Sequence, residues 1–186
     1  MAIKTFTAGS VLTASDTNTF LANAGLVYIK EVALSTGSTR DITSCFSSTY
    51  DAYRLIIVNL LTNGTDPIAL QLLSSSTPAA TGYDRQRFYA QGTTLGGSRT
   101  TNQASLLIGY TATSPRQNYQ YDIFAPNLAT ATAFIGSQAY DDNPNINIDM
   151  TTGKHTTASA YDGLRLLCGA NTFTGGKAII YGYRQS

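Results

Sequence analysis

No tryptophan occurs in the 186 residues, and glutamate, histidine and cysteine are nearly absent: Glu31, His155 and the pair Cys45 and Cys168 are the whole supply. Each shortage excludes a class of chemistry. A single histidine leaves a Ser-His-Asp device one route, and no G-x-S-x-G elbow accompanies it. One His and two distant Cys do not make a four-ligand zinc site, and two Cys do not define a disulfide framework. Cys45 precedes Phe46 and Cys168 follows Leu166 and Leu167, so both are expected as small core residues. Charged side chains make up only 12%, about half the usual share, and the net charge is +1. That balance offers no electrostatic funnel for nucleic acid or anionic lipid. No run of about 18 apolar residues provides a membrane span. The opening MAIKTFTAGSVLTASD lacks the apolar stretch of a signal peptide. With so few carboxylates, no catalytic residue, metal or cofactor is expected.

What the chain has is hydroxyl: 27 Thr and 16 Ser, beside 42% hydrophobic residues, enough for one core. Helix signals are confined to residues 13–23 (TASDTNTFLAN). There Thr13 is a candidate cap, Asp16 stands at the third helical position, and Leu12, Asp16, Phe20 and Ala24 recur every four residues. The run 4–11 ahead of it reads as extended. From Leu26 onward short β-prone runs alternate with turn signals such as Asn63-Gly64, Asp66-Pro67, Asn143-Pro144 and Asp162-Gly163. Strands are expected near 27–35, 39–46, 52–62, 67–74, 84–90, 105–112, 118–125, 132–139, 145–150, 156–160, 163–169 and 177–184. Regular spacing without intervening helices argues for an all-β, antiparallel sandwich. Residues 91–103 (QGTTLGGSRTTNQ) are expected as a long loop.

The run 52–62 (AYRLIIVNLLT) is apolar on both faces. Alternation puts Arg54, Ile56, Val58 and Leu60 on one side, and Tyr53, Leu55, Ile57, Asn59 and Leu61 on the other. A strand of a lone sandwich should be wet on one side. A second surface is therefore expected over one face, from within the chain or from a neighbouring copy, with Tyr53, Leu55 and Ile57 as the candidate oligomer interface.

Tests for small-molecule chemistry leave little. His155, in TTGKHTTAS, reads as an ordinary loop or strand-edge histidine. Asp141, Asn143, Asn145, Asn147 and Asp149 carry oxygens at every second position. An EF-hand loop, however, needs Gly at its sixth position and Glu at its twelfth, where Ile146 and Thr152 stand. The plain reading is a turn feeding a strand, with Ile146, Ile148 and Met150 inward and Asn145, Asn147 and Asp149 outward. Glycoside hydrolysis needs two carboxyls across a cleft, yet Asp66, Asp84 and Asp162 sit in turn contexts. Gly175-Gly176-Lys177-Ala178 lacks the further Gly and the Ser or Thr of a P-loop. Sugar binding keeps some support. Arg85 and Arg87 share a strand face, and Tyr119 and Tyr121 offer stacking rings, so these four are the candidate glycan-binding residues.

The opening Phe6-Thr7-Ala8-Gly9-Ser10-Val11-Leu12-Thr13-Ala14-Ser15-Asp16-Thr17-Asn18 resembles a head segment of tailed-bacteriophage structural proteins, an F-x-A-G-x-x-L-T-A-x-D-x-N run followed by a short helix. Thr17 departs from it, standing where many members carry an aliphatic residue. The body resembles a jelly-roll domain of phage tail fibres, receptor-binding proteins and capsid decoration proteins. The matching pieces are Tyr50 to Ile57, Tyr121 to Asn127 and Phe173 to Tyr183. The resemblance implies a non-enzymatic virion protein, made in the host cytoplasm and usually trimeric. Residues 1–25 would be an attachment arm with one short helix, and 26–186 the β-sandwich. Phe6, Val11, Leu12, Asp16, Phe20 and Leu21 would dock it to other virion proteins. A short tail-fibre or tail-tip component is the first reading. A capsid decoration (cement) protein and a host-glycan receptor-binding module are the alternatives.

Overall fold

The computed structural model describes residues 8–11, 13, 25–111, 117–141 and 146–184. Among the described residues all regular structure is β, in strands β1 (Leu26–Ala33), β2 (Thr39–Ile42), β3 (Ala52–Thr62), β4 (Pro67–Ser74), β5 (Thr77–Pro78), β6 (Tyr83–Gln91), β7 (Thr94–Gln103), β8 (Leu106–Tyr110), β9 (Gln117–Phe124), β10 (Thr132–Asp141), β11 (Ile146–His155), β12 (Gly163–Cys168) and β13 (Phe173–Tyr183). The larger sheet runs β1-β13-β3-β9-β10-β11-β6-β7. The smaller runs β2-β12-β4-β5, with β8 also paired to β4. Pairing is antiparallel throughout.

Setting aside β5 and the hairpins β6–β7 and β10–β11 leaves eight strands. Counted in chain order, those of the larger sheet lie first, eighth, third, sixth, and those of the smaller lie second, seventh, fourth, fifth. This order is a jelly roll, two Greek keys wrapped on one core. Both hairpins add to the same edge, beyond β9, so one sheet is twice as wide as the other. The core between the sheets holds Leu55, Ile57, Leu70, Leu72, Leu106, Ile108, Ile123, Leu164, Leu166 and Ile180, all 0% exposed. Burying each such side chain stabilises the fold by about 1.5–3 kcal/mol before ordering costs.

Four expectations are corrected here. Residues 91–103 are mostly strand β7, not a loop. Gly92, with φ 55°, takes the first place of a two-residue turn joining Gln91 to Thr94, where a primed hairpin turn needs positive φ. Across the pair, Tyr89 packs over Gly96, where an added Cβ would come within 2.5 Å of the Tyr89 hydroxyl. An aromatic covering an edge-strand glycine lets so Gly-rich a run hold its place.

In β3, Asn59 has φ 55° and the register against β9 slips between Ile57 and Leu60. This bulge turns Leu60 to the core beside Tyr53, Leu55 and Ile57 and leaves Leu61 half-buried, reversing the expected faces of those two leucines. Residues 156–160 are irregular, with a bend at Thr157, rather than a strand. In β11 the alternation is inverted: Asn147 and Asp149 are 1% exposed, whereas Ile148 is 46% and Met150 49% exposed. The helix expected over 13–23 lies, Thr13 apart, outside the described residues, as does most of the arm 1–25.

Candidate functional site

The added hairpins carry most of the buried polar residues. On the inner face stand Arg85 and Arg87 of β6, Gln138 of β10, and Asn147, Asp149 and Thr151 of β11, none more than 9% exposed. Arg87 Nε and Nη2 both donate to Asp149 Oδ2 at 2.6 Å. The same guanidinium lies 4.3 Å from the ring centroid of Tyr89 and 5.0 Å from that of Tyr110. This explains the inversion of β11. An inward Asp149 is compensated because a desolvated arginine meets it with two charge-assisted hydrogen bonds. Burial still raises the Asp149 carboxyl above its ordinary range, against the pull of Arg87.

The network ties β8 to the wide sheet. Gln138 accepts from Tyr110 N at 2.9 Å and donates to Tyr110 O. The Tyr119 hydroxyl donates to Tyr110 O at 2.6 Å, and the Tyr121 hydroxyl to Ile108 O at 2.7 Å. The four residues expected to bind glycan thus do share one face, but it is the inner one. Tyr119 and Tyr121 are 2% and 0% exposed and present no stacking surface. Arg87 is committed to Asp149.

Arg85 is the exception. Its Nη2 reaches only Ser98 Oγ, at 3.4 Å. Its Nε and Nη1 are buried with no hydrogen-bond partner among the described residues. Burial, then the cationic Arg87 beside it, lowers its pKa. Arg85 also lines a pocket of about 350 Å³ bounded by Pro67 and Ala69 of β4, Thr100 and Gln103 of β7, Leu107 of β8 and Leu167 of β12.

His155, expected at a loop or strand edge, closes β11 and is 1% exposed. Its ring packs against Tyr83 and Tyr161 at 4.6 and 5.3 Å between centroids. Nε2 lies 3.0 Å from Thr81 O, a carbonyl that can only accept, so Nε2 carries the proton. Nδ1 then accepts from the Tyr161 hydroxyl at 3.2 Å. Burial lowers the His155 pKa. This is the chemistry of a satisfied core histidine.

Tyr53, Leu55 and Ile57 do not form a surface between chains: they are 0% exposed in this chain's own core. The other face of the wide sheet is the one left open. It shows Leu95 (70% exposed), Phe88 (50%), Ile135 (50%), Met150 (49%) and Ile148 (46%), with Met150 opposite Phe88 in the register. Its charges, the exposed Arg99 of β7 apart, are matched among the described residues. Arg54 forks onto Asp122 at 2.7 and 2.8 Å, Lys177 meets Glu31 at 2.8 Å, and Lys154 meets Asp84 at 3.7 Å. Of the six docking residues expected in the arm, Val11 is described and 82% exposed; Phe6, Leu12, Asp16, Phe20 and Leu21 lie outside the described residues. No group of three His, Cys, Asp or Glu placed to hold a metal ion occurs among the described residues.

Sequence reasoning placed Asp149 outward and passed over Gln138 and Tyr110. One signal was available: Arg85 and Arg87 alternate onto one face of β6, and Asp149 and Thr151 alternate in the same way on β11, where Thr151 stands opposite Arg87 and Asp149 opposite Tyr89. No family model, curated protein or solved structure matches the chain.

Proposed function

We propose that this protein is a non-enzymatic structural component of a tailed-bacteriophage virion, a short tail-fibre or tail-tip part docked through residues 1–25 and assembled as a homotrimer. The observation that carries the reading is the open face of the wide sheet. An apolar surface spread over β6, β7, β10 and β11, with its charges other than Arg99 matched among the described residues, suits burial against a copy of itself. Such a face brings little like-charge repulsion to the contact. The jelly roll supplies a rigid unit for such packing, and the head-segment motif supports the docking arm.

Sedimentation of the purified chain tests the assembly. It should run as a trimer at micromolar concentration, and Met150→Glu should shift it toward monomer without loss of β structure. A wild-type chain that sediments as a clean monomer overturns the packing reading. Capsid decoration is the second reading, favoured by the compact knob-like fold with no shaft repeat in the sequence. An averaged image of the particle carrying this chain separates the two by where its density lies.

A further inference from the structure

We infer that the pocket lined by Arg85 is a binding site for the carboxylate of a small acidic sugar, one uronic- or sialic-type residue. Arg85 is nine-tenths buried, yet two of its donors have no partner among the described residues. The carboxylate whose charge acts on it, Asp149, is held by Nε and Nη2 of Arg87. Two guanidinium groups therefore share one carboxylate, leaving a net positive charge under the pocket. A buried cation without a counter-charge is costly, and a protein that keeps one in a pocket wall has a ligand position to offer it.

The pocket's lining selects the class of ligand. Among the described residues no acidic side chain lines it, and Arg85 is its one cation. A planar guanidinium pairs by two parallel hydrogen bonds with a planar carboxylate. Thr100, Gln103 and Ser105 supply hydroxyl and amide partners, while Ala69, Leu107 and Leu167 supply apolar surface. That mixture fits a sugar ring, polar at its edges and apolar on its C–H face. The pocket volume of about 350 Å³ lies at the small end of ligand pockets, roughly 300–1,000 Å³, which suits one residue. Binding swings the guanidinium about its long stem and brings Nε and Nη1 onto the carboxylate.

This inference stands apart from the docking reading, and its failure would leave that reading untouched. The full chain is titrated with glucuronate, galacturonate and N-acetylneuraminate, followed by calorimetry. Glucose, acetate and inorganic phosphate serve as the neutral, bare-carboxylate and bare-anion counterparts. At least one acidic sugar should bind saturably, and each counterpart should bind at least tenfold more weakly. Arg85→Met should abolish binding and leave the melting temperature of the free chain unchanged or raised, because it removes an unpaired buried charge. Ser105→Trp, which fills the pocket and keeps Arg85, should also abolish binding. No binding by any of the three sugars overturns the inference. So does equal binding of acetate or phosphate, binding unchanged in Arg85→Met, or a melting temperature lowered by Arg85→Met as for an ordinary core truncation.

Discussion

At the scale of single residues, His155 gives this fold a pH dependence of definite sign. Its ordinary pKa is near 6.5 and burial lowers it in the folded chain. As pH falls, the unfolded chain takes up the proton first. The contribution to stability is complete above about pH 6.5 and is lost as pH drops from there through the folded pKa. Melting temperature should therefore fall between about pH 7.5 and about pH 5, and the profile of His155→Gln should be flatter over that window. The difference between the two profiles isolates His155 from Asp149, whose raised carboxyl acts with the opposite sign. Asp41 is held low by Arg165; Asp122 is raised by burial but held low overall by Arg54 and Tyr183. Both contribute above 3.8 and lose that contribution as pH falls through their folded pKa values, outside the histidine window. The cysteines carry a second prediction. Burial pushes the Cys45 thiol up to about 12, and burial with Asp66 nearby pushes Cys168 up to about 11. Only thiolate reacts. A disulfide reagent at mildly alkaline pH should leave the native chain unlabelled and label both thiols in denaturant. Labelling of the native chain would show that the core opens locally.

At the scale of elements, two irregularities are matched to one another. The bulge at Asn59 in β3 faces a register slip between Gly175 and Lys177 in β13. Gly176 sits between them at φ 103°, where an added Cβ would lie 2.8 Å from both Asn59 O and Leu60 Cα. Gly176→Ala thus meets unfavourable φ and backbone atoms together. It should destabilise the fold by about 2–4 kcal/mol, read as a lower denaturation midpoint with an unchanged slope. Strand positions were largely legible in the sequence because turn residues punctuate them; β3 and β4 have the expected bounds. The faces were less so. Alternation names two sets of residues but not which set meets the core, and a single bulge exchanges them, as Leu60 and Leu61 show. In β11 the apolar set pointed the wrong way because the deciding partner, Arg87, lies in a strand 62 residues away in sequence. The edge strand β7 was hidden for a related reason: its glycines are covered by Tyr89 from the next strand, a contact with no local trace. The pocket follows the same rule, since it draws on β4, β6, β7, β8 and β12.

On the scale of the whole molecule, the described strands close a complete jelly roll without residues 1–24. Deleting residues 1–25 should leave the β-sandwich folded, with its melting temperature moved by no more than about 5 °C. In a reconstitution assay the shortened chain should fail to join the particle. Incorporation at the wild-type level would refute docking through the arm, and loss of the fold would assign the arm to the core. The strand order also sets a timetable for making the protein. Among the described residues β1 pairs only with β13, and β3 reaches β1 only through β13, so the last of these strands to be made fills the gap between the first and the third. A nascent chain still short of residue 173 holds β1 without a backbone partner and β3 with one side open. Closure waits until residues 173–183 have been made. A chain ending at Thr172 should accumulate in the insoluble fraction, whereas the full chain refolds in one late, slow step set by its longest-range strand pairing.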